Sequence, residues 1–458
     1  MTWRTISALL LGGLLSACAL SPDYRRPEAP VPAGWPDQPA SAEALPDWRD
    51  FFGDARLRAL IDAALAHNRE LRRAELNVAQ ARALYGVQRS QLWPALNAEA
   101  GLSRSRTPAA LASGGEAHTA SRYEAGLGLS AWELDFFGRV RSLGDAALAE
   151  YLATEQAQRA ARQGLIAAVA RAHLAERLLA EQIALAERSL TTRRDAFELV
   201  ERRYQAGAAS ALERAQARSL VESARVALGA LRRRHAQARN ALGLLTGYAA
   251  PELPEAERLG GQGMGEGVPV GLSSVLLQRR PDILAAEQRL MAANANIGAA
   301  RAAFFPRVTL TAFGGSASAE LSALFQSGTG AWSFAPRITL PIFDWGRNRR
   351  NLELAELRRE IAVVEYEQRI QQAFREVADA LDALASLDGE IAAQQALLKA
   401  QQRRLSLAER RYEGGIANYL EVLDAQRELF GAEQGMAQLR QLRLLNRVEL
   451  FAALGGGD

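Results

Sequence analysis

The chain has 458 residues and nearly balanced charge, with 55 basic residues, 52 acidic residues and a formal net charge of +3. Basic and acidic residues are interspersed rather than gathered into a patch, which argues against nucleic-acid binding. The histidines share no metal-ligand spacing, and no nucleophile is paired with a base, so we expect neither an enzyme nor a metal or cofactor site. We expect the four histidines to be surface or packing residues: His67, His118, His173 and His235.

The N-terminus is typical of a lipoprotein signal peptide covering residues 1–17. Arg4 supplies the positive charge, and the apolar run Ile6–Leu15 is too short to span a bilayer. The sequence LSAC then resembles a bacterial lipobox, so we expect Cys18, the single cysteine of the chain, to be lipidated and to become the first mature residue. Ordinary cleavage after a small residue is the alternative. Ala19 stands where inner-membrane lipoproteins commonly have aspartate, which favours the outer membrane.

Two halves of the chain repeat the same order of motifs. ERRYQAG at 201–207 recurs as ERRYEGG at 409–415, and DFFGR at 135–139 parallels DWGR at 344–347. Proline-free stretches with apolar residues at steps of three and four predict very long helices in both halves. The chain is therefore predicted to be a tandem repeat, with a Gly/Pro connector at 251–270 between the halves.

Each repeat is predicted to contain a helix, two strands, a long helix and a return helix. In the first repeat, 18–250, the strands lie at about 96–106 and 122–135, the long helix at about 138–206 and the return helix at about 210–246. In the second repeat, 271–458, the strands lie at about 307–318 and 332–343, the long helix at about 346–413 and the return helix at about 418–454. Glycine is expected where the chain leaves each long helix, because that position requires positive φ.

The predicted strands alternate apolar with small or polar residues over about ten positions, the length of a tilted transmembrane strand. Soluble hairpins on a helical protein are the alternative. Four strands cannot close a transmembrane barrel, which needs about eight, and each backbone group left unpaired at an open edge in lipid costs several kcal/mol. If the strands span a membrane, several chains share one barrel, and three chains would provide twelve strands.

Over essentially the whole mature chain, the order and spacing of motifs resemble the outer-membrane factors of the TolC/OprM type, in their lipoprotein branch. The motifs are PDYRRP at 22–27, the segments 48–68 and 279–306, PIFDWGR at 341–347 and YLEVLDAQR at 419–427. The resemblance implies a mainly α fold with a transmembrane β part. It further implies a homotrimer in which a 12-stranded β-barrel in the outer membrane continues into a 12-helix α-barrel that extends into the periplasm.

The resemblance also implies a function without catalysis or cofactor. The trimer would be the passive exit duct of a tripartite efflux pump, conducting drugs and other toxic small molecules. Its partners would be a periplasmic adaptor, an inner-membrane transporter of the RND type and the lipid bilayer, with Cys18 as the lipid anchor. Metal-ion efflux, type I protein secretion and a non-channel coiled-coil lipoprotein remain open as alternatives.

In this family acidic residues just past the second turn form the narrowest rings of a periplasmic gate. The resemblance places Glu421 and Asp424 there, with Glu213 at the equivalent position of the first repeat and Tyr412 tying neighbouring helix pairs together. Ala417 replaces an arginine that locks the closed tip in some members, so this link is missing or is supplied by Arg410 or Arg411. The residues expected at the adaptor-contacting tips are Gly207, Ala208, Ser210, Gly414, Gly415 and Asn418.

Helix capping is the competing interpretation for both glutamates. Ser210 and Asn418 are suited to cap the return helices, and each is followed three residues later by a glutamate, Glu213 and Glu421. That spacing is typical of a capping box. Asp424 lies beyond it, which favours a position facing the channel.

Overall fold

The computed structural model describes residues 20–32, 35, 46–248, 253–265 and 274–456. In the first half, the helices and strands are α1 Trp48–Phe51, α2 Ala55–His67, α3 Arg69–Ser90, β1 Leu96–Thr107, β2 His118–Leu134, α4 Arg139–Gln205 and α5 Ala211–Leu245. In the second half they are α6 Pro281–Ala302, β3 Arg307–Ser318, β4 Gly330–Thr339, α7 Arg347–Glu413 and α8 Tyr419–Ala453. Short 3₁₀ turns lie at Ala109–Leu111, Leu259–Gly261, Ser274–Arg279 and Leu321–Ala323.

From α3 and α6 onward, the two halves share one order of elements, and their helices match in length. The long helices α4 and α7 have 67 residues each, and the return helices α5 and α8 have 35 residues each. The prediction of a mainly helical fold with a β part is confirmed. None of the helices in the described ranges is long and apolar enough to cross a membrane.

An aspartate precedes each long helix and caps it. The Asp135 carboxylate accepts the N–H of Arg141 at 2.8 Å, and the Asp344 carboxylate accepts the N–H of Asn348 at 2.9 Å. Negative charge at a helix N-terminus is favourable because the first N–H groups lack partners within the helix. This explains why the Asp-aromatic-Gly-Arg motif occurs at both strand-to-helix corners.

The four strands of the described residues form one antiparallel sheet in the order β1-β2-β3-β4. The pairing of β2 with β3, with Tyr123 opposite Ser318, joins the two halves of the chain. The second strand begins at His118, earlier than the predicted 122, because its first residue pairs with Thr107. The fourth strand ends at Thr339 rather than 343, because Thr339 pairs with Arg307, the first residue of β3.

Two compact units divide the chain. One unit, residues 1–28, 77–155 and 285–366, holds the sheet. The other, residues 29–76, 156–284 and 367–458, holds α1, α2 and the helix turns at the ends of α4 and α7. In this second unit Phe51 stacks on Phe451 with ring centroids 4.3 Å apart, and both side chains are buried.

A buried hydrogen bond between two side chains holds the start of α2 against α4 in the second unit. His173 is fully buried, as expected of a packing residue, and its Nε2 lies 2.9 Å from Asp54 Oδ2. Asp54 is also the N-cap of α2 and accepts the N–H of Arg56 at 2.8 Å. Burial works against ionisation of Asp54, but the hydrogen bond and charge of His173, together with the Arg56 N–H, outweigh it and lower the pKa of the carboxyl.

Candidate functional site

The turn between α4 and α5 is closed by a glycine in the left-handed conformation. Gly207 has φ +75°, and no neighbouring atom crowds it, so backbone conformation rather than space requires glycine there. The Ala208 N–H donates to the Arg203 carbonyl at 2.7 Å, and the Gly207 N–H donates to the Tyr204 carbonyl at 3.0 Å. This pair of bonds is the Schellman motif, which satisfies the last carbonyls of α4.

The turn between α7 and α8 repeats this geometry. Gly415 has φ +69°, its N–H donates to the Tyr412 carbonyl at 3.1 Å, and the Ile416 N–H donates to the Arg411 carbonyl at 2.9 Å. Gly414 precedes it and donates to the Arg410 carbonyl at 3.0 Å. The expectation that glycine occupies the positive-φ position at both turns is confirmed.

The two return helices begin differently. Ser210 Oγ accepts the Glu213 N–H at 3.1 Å, while the Glu213 carboxylate accepts the Ser210 N–H at 2.8 Å, which completes a capping box. The Asn418 side chain makes no capping hydrogen bond, so the prediction that it caps α8 is wrong. The Glu421 N–H donates to the Asn418 carbonyl at 3.3 Å instead.

Glu421 and Asp424 carry ion pairs rather than caps. Glu421 lies 3.4 Å from Arg411, one of the two arginines considered as the source of a tip link. Asp424 is held between Arg404 of α7 and Arg427 of its own helix, the latter at 2.6 Å. Both carboxylates remain about half exposed, with 45% and 40% of their side chains accessible. Capping therefore does not account for Glu421, whereas it does for Glu213.

A groove of about 840 Å³ lies between α7 and α8 beside these acids. Its basic side chains come from α7 and its acidic side chains from α8, so opposite charges face each other across it. It is lined by Ala400, Arg403, Arg404, Leu407, Ala408, Arg411, Asn418, Leu420, Glu421 and Asp424.

Tyr412 joins the two helix pairs within one chain. Its hydroxyl accepts a hydrogen bond from Arg203 of α4, whose guanidinium carbon also lies 5.1 Å from the centre of the Tyr412 ring. The ring packs beside Tyr419, with centroids 5.1 Å apart. Burial, and then the nearby Tyr412, raise the pKa of Tyr419 to about 12, so this tyrosine stays protonated at neutral pH.

Sequence reasoning missed three arginines of this site: Arg203, Arg404 and Arg427. The ion pair of Arg427 with Asp424 could have been predicted from the sequence, since Arg427 follows Asp424 by three residues on a helix and side chains at that spacing are neighbours. The other two are distant in sequence from their partners, so only the packing of helices reveals them.

Cys18, the predicted lipidation site, lies outside the described residues. Within the described ranges, no group of three or more His, Cys, Asp or Glu side chains is placed to hold a metal ion.

The sequence model of the outer membrane efflux protein family matches residues 60–248 and again residues 272–456. The chain belongs to this family. Membership decides against an enzyme and against a purely structural coiled-coil lipoprotein, and it places the chain in the outer membrane.

Curated members of the family cover almost the whole chain. The outer membrane protein OprJ of Pseudomonas aeruginosa is 48% identical over 99% of this chain and 95% of its own length. The toluene efflux pump outer membrane protein TtgI of Pseudomonas putida is 46% identical over 98% of this chain and 96% of its own length.

A solved efflux-family structure has the same fold. The crystal structure of the open state of the MtrE outer membrane channel of Neisseria gonorrhoeae matches with a TM-score of 0.87 and 42% identity, covering 96% of this chain and 98% of MtrE. The similarity therefore extends over both the helical part and the sheet.

Proposed function

We propose that this chain is the outer-membrane exit duct of a tripartite efflux pump and that the duct forms only when copies assemble. The sheet carries this proposal, because β1 and β4 each pair on one side only among the described residues. Two open edges in lipid would leave rows of backbone N–H and C=O groups unpaired, and each unpaired group would cost several kcal/mol of free energy. Three copies would join their edges into a closed barrel of twelve strands, the predicted homotrimer.

The side chains of β4 support insertion of the sheet into lipid. Trp332, Phe334 and Ile338 lie at even spacing, so they share one face of the strand. Their exposed fractions are 82%, 63% and 71%, which is unusual for large apolar side chains in water. Lipid contact would remove this apolar surface from water.

The helical part would form the periplasmic duct. Each chain contributes four helices from its two turns, α4, α5, α7 and α8, so three copies would provide the predicted 12-helix barrel. In the proposed pump the turn residues contact a periplasmic adaptor, and the adaptor connects the duct to an inner-membrane transporter of the RND type. A lipid on Cys18 would anchor each copy to the outer membrane.

Toxic small organic molecules are the proposed cargo. TtgI, which matches this chain almost end to end, is a toluene efflux pump protein by name. Transport is passive in the duct, with energy supplied by the transporter.

Deletion of the gene is expected to raise the sensitivity of the cells to aromatic solvents and antibiotics, while their tolerance of metal salts stays unchanged. Minimal inhibitory concentrations measure both effects. Sensitivity to metal salts alone would contradict this cargo and favour metal-ion efflux.

The proposed gate consists of Glu421 and Asp424, repeated around the axis, with Tyr412 holding neighbouring helix pairs. Rings of carboxylates at a constriction favour cations. Glu213 would contribute less, because its carboxylate is already bound to the start of its own helix. In each copy Arg411, Arg404 and Arg427 bind the gate carboxylates, so part of the negative charge of the proposed rings is balanced within each chain.

Neutralising the gate in the double variant Glu421→Gln/Asp424→Asn tests these roles. We expect lower cation preference and altered single-channel conductance in planar bilayers, because the charge facing the permeating ions is lost. Glu222→Gln is the matched control, since Glu222 is an exposed, arginine-paired acid on α5 away from the turns. Currents identical to those of the parent protein would exclude both carboxylates from the gate.

A further inference from the structure

The two faces of the sheet differ in chemical character. Residues directly opposite each other on neighbouring strands share a face. One such row joins Leu96, Leu129, Ala312 and Phe334, and it lies on the apolar face that is proposed above to contact lipid. The other face carries the polar and charged residues Asn97, Glu99, Ser103, Arg122, Glu124, Thr309, Ser333 and Arg337. This polar face would line the bore of the barrel.

Two charged side chains of the polar face have no ion-pair partner among the described residues. Arg122 pairs with Glu124 at 3.0 Å, and Glu133 pairs with two arginines. Glu99 and Arg337 are exposed and make no such pair within the described part of the chain. They carry opposite charges, and they lie on β1 and β4, the two edge strands. Each open edge of the sheet therefore presents one unpaired charge on its polar face.

Within one chain the two edge strands are out of step. Through the three ladders, Gly330 lies in the row of Ala100, and Phe334 lies in the row of Leu96. Residues 335–339 of β4 continue past the level of Leu96, which is the first residue of β1. A second copy joined at the same level would leave these residues of β4 without partners.

One displacement along the strands pairs all of β4 with β1 of a neighbouring copy. Thr339 lies five rows beyond Leu96, so the neighbouring β1 must shift by at least five residues to reach it. Gly330 lies in the row of Ala100, seven residues before Thr107 at the end of β1, so a shift above seven leaves Gly330 unpaired. An odd shift would join the apolar face of one copy to the polar face of the next, because side chains alternate along a strand. Only a shift of six residues satisfies all three conditions.

The tilt of the resulting barrel supports this shift. In three copies, shifts of six residues displace the strands by about 59 Å along their length, against about 58 Å across twelve strand spacings. The strands are then inclined by roughly 45° to the barrel axis, close to the tilt of transmembrane strands in general. Unshifted copies would give upright strands, which closed barrels do not have.

We propose that β4 of one copy pairs with β1 of the next in this register, so that Arg337 lies directly opposite Glu99 of the neighbouring copy. The two charges form an ion pair at each seam between copies, on the face that lines the bore. On the apolar face Trp332 comes opposite Arg104 of the neighbouring copy, and a guanidinium packs favourably on an indole ring. This inference rests on the assembly proposed above and adds the residues that determine how the copies align.

Disulfide formation between copies tests the register. The double variant Glu99→Cys/Arg337→Cys, in the full-length protein in outer membranes, is expected to form a covalent trimer under mild oxidation. The matched controls Asn97→Cys/Arg337→Cys and Gly101→Cys/Arg337→Cys move one cysteine by two residues on the same face. We expect cross-linking to be at least about tenfold slower in both controls, because diagonal Cβ atoms are about 7 to 8 Å apart and a disulfide needs about 4 Å.

Denaturing electrophoresis without reductant measures the cross-linked fraction, and the single-cysteine variants exclude disulfides to Cys18. Faster cross-linking in either control would overturn the register. If no pair cross-linked in a protein that native mass spectrometry shows to be a trimer, the pairing of β4 with β1 would be overturned. A protein that stays a single chain would refute the proposed assembly itself, so the failures of the two proposals are distinguishable.

Exchange of the two charges tests the ion pair. Glu99→Arg places two like charges opposite each other at every seam, so we expect the fraction of trimer that resists SDS on heating to fall several-fold. Glu99→Arg/Arg337→Glu is expected to restore the parent value, because opposite charges face each other again. Glu116→Arg is the matched control, since it makes the same charge change at an exposed residue between β1 and β2 in the same unit. A double variant no more heat-resistant than Glu99→Arg would overturn the ion pair.

Discussion

At the scale of single residues, Ser210 and Asn418 start equivalent helices yet behave differently. Ser210 and Glu213 bond each other reciprocally, whereas the Asn418 side chain makes no capping bond and Glu421 lies near Arg411. The sequence spacing is the same at both sites, so it allowed a capping box at each as an alternative to a gate residue. At Asn418 the spacing alone could not identify the partner of Glu421, because that partner, Arg411, comes from the preceding helix.

This asymmetry predicts different effects of matched substitutions. Ser210→Ala is expected to destabilise the first turn of α5 by about 1 kcal/mol, because an N-cap bond is lost. Asn418→Ala is expected to change the first turn of α8 by less than about 0.5 kcal/mol. Hydrogen exchange of the amides in these turns measures both effects. An equal loss of protection at the two turns would show that Asn418 caps its helix in solution.

At the scale of elements, the long helices and the turns follow from local sequence, but the contacts that hold the elements together do not. The absence of proline and the three-four spacing of apolar residues predicted α4 and α7, and glycine predicted where they end. His173 was expected only to be a surface or packing residue, because its partner Asp54 is 119 residues away. The contact of Arg26 with the buried Glu287 of α6 was not predicted for the same reason, since the two residues are 261 positions apart.

The His173–Asp54 pair predicts a pH-dependent contribution to stability. The pKa of Asp54 is lower in the folded chain than the value of about 3.9 expected when unfolded. The stabilisation is therefore present above about pH 4 and is lost as the pH falls through the folded pKa. Asp54→Asn keeps a capable N-cap but removes the charge, so it is expected to destabilise the protein by up to roughly 3 kcal/mol at pH 7.

Thermal unfolding in detergent at pH 7 and pH 3 measures this effect. The difference in unfolding temperature between Asp54→Asn and the parent protein is expected to shrink at pH 3, because that pH lies below the unfolded pKa of about 3.9 and part of the stabilisation by the charge is lost there. Asp62→Asn is the control, because Asp62 lies on the same helix in an exposed pair with Arg49 and should have little effect. If the two proteins differed in unfolding temperature by the same amount at both pH values, the proposed contribution of the Asp54 charge to stability would be refuted.

At the scale of the whole molecule, a repeated chain supplies a sheet that is complete only in an assembly. The family model matches the chain twice, at 60–248 and 272–456, and elements of equal length recur in the two halves. The alternating pattern predicted four strands, but it contains no information on their partners. The pairing of β2 with β3 across the halves leaves β1 and β4 as edges among the described residues.

Native mass spectrometry of the full-length protein, extracted from outer membranes in mild detergent, tests the central claim that several chains share one barrel. We predict a single dominant species with the mass of three mature chains, because three sets of four strands close a barrel that one set leaves open. A folded species with the mass of one chain, stable and without larger forms at the same concentration, would contradict this account.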